Sequence, residues 1–189
     1  IGDFGPDGLA VVHVFTFCVL DLAQLTGLDA LSNCILAANC DIFYIGGTKN
    51  GLLFGEALVI TNPSLMPHFR RCLKQQGAML AKGRLLGVQY CAALENGLYM
   101  ELAHASVKAA NRLAAGMQKL GIQTLIDSPS NQLFPILPTD VIAALQEQVE
   151  FEFWSAIDEG HSCIRFVTAW HTTQEEVSSL LEVLKKLLA

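Results

Sequence analysis

Positive charge is scarce in this chain: 12 Lys and Arg stand against 18 Asp and Glu, for a formal net charge of −6. A surface that neutralises phosphates needs a basic excess, so no nucleic-acid partner is expected. Membrane-length apolar runs are also missing. The most apolar stretch, residues 9–20 (LAVVHVFTFCVL), is about half of the roughly 20 residues a spanning helix requires, and it contains His13 and Thr16. A soluble protein with no membrane contact is expected. The first residue is Ile1 rather than Met, and Asp3 and Asp7 stand where a secretory leader would carry positive charge; no targeting segment is expected, and the chain reads as the C-terminal part of something longer. The six cysteines, at 18, 34, 40, 72, 91 and 163, form no C-x-x-C pair and suit small buried hydrophobes in a reducing, cytoplasmic compartment. His13, His68, His104, His161 and His171 lack metal-ligand spacing, so no metal site is expected. The phosphate-loop consensus G-x-x-x-x-G-K-[ST] and the nucleophile elbow G-x-S-x-G are absent too, which removes two common routes to catalysis.

What remains is a chain of 189 residues, 52% hydrophobic, with ample material for a core. Residues 9–20 read as a strand buried on both faces, residues 22–40 as helical, and residues 41–45 (DIFYI) as a second strand ending at Gly46-Gly47. Residues 51–60 end in another strand-like run, and Thr61-Asn62-Pro63-Ser64 breaks it. From 64 to about 121 the spacing predicts helices interrupted near Gly77, Gly83 and Gly97. Strands are then predicted over 122–126, 132–137, 151–157 and 163–170, with a helix opening at Pro138-Thr139-Asp140. The last helix carries a capping box at Thr173 and Glu176 and an apolar stripe of Val177, Leu180, Leu181, Leu184 and Leu187. The expected architecture is α/β: a large domain over 1–100 and a small C-terminal α+β domain over 101–189.

Three positions stand out chemically. Lys49 follows a strand and two glycines within GGTKNG; a lysine amine becomes a nucleophile toward aldehydes when its surroundings favour the neutral form, although a solvated turn lysine has the same local sequence. Asp21 sits at the carboxyl end of a predicted buried strand, where open α/β sheets collect ligands, and equally suits a helix N-cap. Arg165 alternates with apolar residues in a strand, and its planar fork matches a carboxylate or faces solvent. Arg70, Arg71, Lys74, Lys82 and Arg84 form a basic cluster that reads as a solvated helical face from which Lys82-Gly83-Arg84 could reach an anion.

Residues 41–60 (DIFYIGGTKNGLLFGEALVI), 74–89 (KQQGAMLAKGRLLGVQ) and 164–170 (IRFVTAW) resemble the low-specificity threonine aldolase and β-eliminating lyase family, fold type I pyridoxal-phosphate enzymes. The likeness runs from Asp21 to the end and corresponds to the C-terminal half of such an enzyme. It implies that Lys49 forms the Schiff base with pyridoxal 5'-phosphate, that Thr48 lies beside the phosphate, and that Arg165 binds the substrate α-carboxylate. Asp21 would match the pyridine-nitrogen aspartate, although Leu22 and Gln24 replace the family's glycine and arginine. Lys82 and Arg84 would serve a neighbouring subunit in a homo-oligomer. The implied activity is cleavage of a threonine-like β-hydroxy-α-amino acid to glycine and an aldehyde. A catalytically inactive module that keeps the oligomerising fold, and an aminotransferase of the same fold, are the alternatives.

Overall fold

The computed structural model describes residues 3–4, 10–12 and 38–189. The chain divides into two units; of the described residues the first takes those up to Met100, and the second begins at Glu101.

The first unit contains a four-stranded sheet in the order β1-β2-β3-β4, built from Asp3–Phe4, Ala10–Val12, Ile42–Gly46 and Glu56–Ile60. β2 runs parallel to β3, pairing Val11 with Ile42, and β3 runs antiparallel to β4 from Ile42↔Ile60 to Gly46↔Glu56. Helices α1 (Phe69–Gln75) and α2 (Arg84–Leu94) follow, and α3 (Leu98–Lys119) starts within this unit. Among the described residues its packed centre is formed by Leu52, Tyr90 and Ala93 with Ala57 and Tyr99 against them. The predicted helix over 22–40 and residues 13–20 of the first predicted strand lie almost wholly outside the described residues, as do Cys18 and Cys34.

The second unit holds a small antiparallel sheet of β5 (Gln132–Leu133), β6 (Ile136–Pro138), β7 (Glu152–Ala156) and β8 (His161–Val167), in which β8 pairs with all three others. Helices α4 (Thr139–Gln146) and α5 (Gln174–Leu187) complete it. Ala103, Val107, Ala110, Leu113 and Met117 recur on one stripe of α3, the period of a helix with one buried face. Several of them meet Leu133, Leu137, Ile164 and Phe166 of the sheet, Leu145 of α4, and Val177 and Leu184 of α5 in one core. The stripe of α5 packs there as its spacing predicts, and the capping box forms: Thr173 donates its N–H to Glu176 Oε2 at 2.7 Å, and Glu176 N–H reaches Thr173 Oγ1 at 3.2 Å. Gly116 allows α3 and α5 to close up, since a Cβ there would lie 2.2 Å from Leu181 Cδ1.

Three sequence expectations are corrected. Residues 122–126 form a single bridge, Thr124 to Pro135, rather than a strand, and 132–137 splits into β5 and β6. Pro135 lacks the N–H that a continuous ladder would use, so pairing stops and restarts around it. Cys40 and Cys163 are buried as expected, but Cys72 and Cys91 are exposed on α1 and α2.

Candidate active site

Lys49 sits in a one-turn 3-10 segment, Thr48–Asn50, directly after β3 and Gly47, and Gly51 ends it in the left-handed region at φ 86°. The turn closes on one acceptor: Gly47 O receives the Asn50 N–H at 2.9 Å and the Leu52 N–H at 3.1 Å. Gly47 is required by space, because a Cβ there would lie 2.7 Å from Leu52 Cδ2 and 2.9 Å from the Tyr90 hydroxyl.

Side chains from far along the chain fasten this turn. Tyr90 of α2 donates its hydroxyl to Ile45 O at 2.7 Å, with Gly55 O also in reach at 3.1 Å. Tyr99, at the start of α3, donates to Gly46 O at 2.7 Å. Asn50 is fully buried and gives its Nδ2–H to Tyr99 O at 3.3 Å, and Gln89 Oε1 accepts the Leu53 N–H at 2.9 Å. The carbonyls of Ile45 and Gly46 at the end of β3 thus each have a donor, as buried backbone demands. Burial pushes the Tyr99 phenol up to about 12, with Tyr90 adding to the effect and Asn50 opposing it; burial raises Tyr90 as well. Both hydroxyls keep their protons, and hence their donor role, well above neutral pH.

Thr48 is exposed and Lys49 half-buried on the same turn. Lys82 and Arg84 are exposed in the segment leading into α2 and at its first residue, on the helix that supplies Tyr90 and Gln89. Asp21 lies outside the described residues.

Arg165 belongs to the second unit, on β8 between the core residues Ile164 and Phe166. Its guanidinium donates to Gln132 Oε1 at 3.2 Å and pairs with the Glu152 carboxylate, its direct cross-strand partner on β7. The register of β7 on β8 jumps between Phe153 and Ser155, which makes Trp154 the extra residue of a bulge. The Trp154 ring takes the guanidinium carbon 5.5 Å from its centroid and is itself braced edge-on by Phe134 at 4.9 Å. Just past the end of β8, Thr168 gives its hydroxyl to Ser106 O at 2.7 Å, which ties the end of β8 to α3, and its own carbonyl receives the Asn131 Nδ2–H at 2.6 Å from the residue before β5.

Sequence reasoning missed Asn50, Gln89, Tyr90 and Tyr99 around the lysine, and Gln132, Glu152 and Trp154 around the arginine. The tyrosines act across 45 and 53 positions, which no local pattern reports. The Glu152–Arg165 pair was accessible in principle, because an acid in one strand of a predicted hairpin faces a base in the other once the register is known.

The sheet and helices described here are those of the fold type I pyridoxal-phosphate-dependent enzymes. A serine palmitoyltransferase of Sphingomonas wittichii superposes with a TM-score of 0.64 at 12% identity, over 95% of this chain and 47% of that one, a likeness of fold alone. Within that class, the chain is similar to the C-terminal portion of the low-specificity L-threonine aldolases. It is 29% identical to the low specificity L-threonine aldolase of Pseudomonas aeruginosa over 167 residues, 85% of this chain and 47% of the relative. The threonine aldolase of Leishmania major matches at 42% identity with a TM-score of 0.77, over 82% of this chain and 45% of that one. The chain therefore spans about half the length of the relatives it matches. No protein-family model matches it. No helix among the described residues is long and apolar enough to cross a membrane.

Proposed function

We propose that this chain is the lysine-bearing part of a pyridoxal-phosphate-dependent lyase that cleaves a threonine-like β-hydroxy-α-amino acid to glycine and an aldehyde. The observation that carries this reading is the Lys49 turn, a primary amine on backbone fastened by Tyr90, Tyr99 and Asn50 and set against a glycine that leaves no room for a side chain. The similarity to threonine aldolases supports the same reading.

The residues present fit the cofactor. Its aldehyde needs an amine on a rigid support, and the amino acid it acts on needs a cation for its carboxylate; Lys49 and Arg165 have those chemistries, and Arg165 already holds a carboxylate, that of Glu152. In this reading Lys49 Nζ would hold the cofactor, Thr48 would serve its phosphate, and Asp21 would be the partner of its ring nitrogen. When bound, pyridoxal phosphate withdraws the charge that develops on the substrate Cα, which makes the Cα–Cβ bond breakable. Arg165 fixes the α-carboxylate by charge-assisted hydrogen bonds and so orients the bond to be cut. The β-hydroxyl loses its proton as Cβ becomes the aldehyde carbon, and Cα gains a proton to give glycine. We place the cofactor-bearing domain at 1–100 and a small α+β domain at 101–189. A homo-oligomer in which Lys82 and Arg84 contact an anion at a neighbouring site, acting in the cytoplasm, belongs to the same proposal.

The test is to incubate the purified chain with pyridoxal phosphate, reduce with borohydride, and map the modified residue by peptide mass spectrometry beside a Lys49→Ala variant. Selective label at Lys49, with visible absorbance that the variant lacks, is the expected result and justifies assaying threonine for aldehyde release. Label spread over surface lysines, unchanged in Lys49→Ala, would sink the proposal.

A further inference from the structure

The Arg165 side chain is 11% exposed, and its partner Glu152 is 61% exposed. That asymmetry separates the fixed half of the pair from the movable half. Gln132, itself buried, holds the guanidinium from β5, and the Trp154 ring covers it, with buried Phe134 behind the indole. None of these contacts involves Glu152. Glu152 has only its one long side chain to reorient, on a strand whose pairing with β8 is shifted two residues later. An ion pair with so exposed a partner opens at small cost.

We infer that Glu152 is a built-in occupant of an anion seat formed by Arg165, Gln132 and the Trp154 ring, and that a ligand carboxylate binds there by exchange with the Glu152 carboxylate. This rests on the reading of Arg165 as the seat for the substrate carboxylate and adds the residue that sets its affinity. While no ligand is bound, Glu152 keeps the guanidinium compensated and aimed. On binding, one carboxylate replaces another, so the number of charges at Arg165 is conserved and Glu152 turns into water. The seat then selects ligands with a free carboxylate: an amino alcohol of the same size offers no charge to displace Glu152.

Trp154 reports on the exchange. The chain has two tryptophans, so Trp170→Phe leaves Trp154 alone. In that background, at fixed ionic strength, glycine should shift the Trp154 emission saturably and 2-aminoethanol should not. Glu152→Gln should lower the half-saturating glycine concentration about two- to fivefold, the range of a surface ion pair removed from competition. Glu152→Ala should do the same without an amide left in its place. Arg165→Leu should abolish the response, with the far-UV circular dichroism of all variants recorded to show that they fold. If Glu152→Gln binds glycine as the parent does, or more weakly, while Arg165→Leu still loses it, Glu152 does not compete and the exchange is overturned while the carboxylate seat stands. If folded Arg165→Leu keeps the glycine response, the reading of Arg165 itself fails. The absence of any response in both the parent and Glu152→Gln overturns the exchange as well.

Discussion

Gly47→Ala is the smallest change that should disturb the lysine turn, and its effect can be worked from three distances. The new methyl would lie 2.7 Å from Leu52 Cδ2, 2.9 Å from Leu52 Cβ and 2.9 Å from the Tyr90 hydroxyl. Leu52 is buried, and its Cβ cannot move without its backbone, so the overlap is relieved only by shifting the turn; overpacking of this kind costs about 1–3 kcal/mol. Pushing the Tyr90 hydroxyl away also weakens its bond to Ile45 O, worth about 1 kcal/mol. The local loss should therefore reach roughly 2–4 kcal/mol. Hydrogen exchange at the Asn50 and Leu52 amides, which both donate to Gly47 O, reads that loss at the turn itself. Acceleration on the order of a hundredfold is expected, since each 1.4 kcal/mol is about a factor of ten. Tyr90→Phe provides the internal control. Once the hydroxyl of Tyr90 is removed, one of the three close contacts disappears, so the double variant should be less impaired than the sum of the singles by about 0.5–1.5 kcal/mol. Additive effects, or unchanged exchange in Gly47→Ala, would refute the reasoning.

Two further outcomes follow from packing and protonation. Tyr99 has a folded-state value of about 12 against an ordinary 10.0, so the native chain keeps this proton where the unfolded chain has lost it. The stability it supplies is complete below pH 10 and drains as pH rises from 10 to 12, by at most about 2–3 kcal/mol; Tyr99→Phe should flatten that alkaline fall, and parallel urea-unfolding curves for the two proteins across this window would count against it. Gly116→Ala should destabilise the second unit by about 1–3 kcal/mol despite alanine's better helix propensity, because its Cβ meets Leu181 at 2.2 Å; Leu181→Ala should restore part of the loss, and a Gly116→Ala chain at least as stable as the parent by tryptophan fluorescence in urea would contradict the close approach of α3 and α5.

Legibility in the sequence followed the range of the interaction concerned. The strand ahead of Lys49, the glycine turn around it, and the capping box and stripe of α5 depend on neighbours within a few residues, and local pattern was enough to read them. The segment 132–137 was misread because its apolar content suggested one strand while Pro135 breaks the hydrogen-bond ladder. The bond from Leu125 N–H to Phe134 O, and that from Ile136 N–H to Gln123 O, show that residues 122–126 do meet this segment, but at isolated points. Cys72 and Cys91 were expected inside because cysteine usually is, yet the helices carrying them turn those positions to water. Around both candidate site residues, the residue itself could be read and its supports could not. Tyr90 and Tyr99 become neighbours of the Lys49 turn, and Gln132 and Glu152 of Arg165, only through tertiary pairing.

The fastening of the lysine turn bears on how such a sequence can be moved or borrowed. GGTKNG looks like a cassette, short and closed by glycines at either side. The backbone acceptor at its first glycine, Gly46, and that of Ile45 just ahead of it, however, are filled by phenols borne on later helices, and its asparagine leans on the residue bearing one of them, Tyr99. Transplanted to the end of a strand in an unrelated scaffold, the hexapeptide would bring the amine without its stance, as a floppy lysine among unsatisfied carbonyls. The heritable unit is the turn and the end of β3 together with two tyrosines some forty to fifty positions away, so recombination or design that cuts between them should be expected to lose the placement of the lysine while leaving its sequence intact.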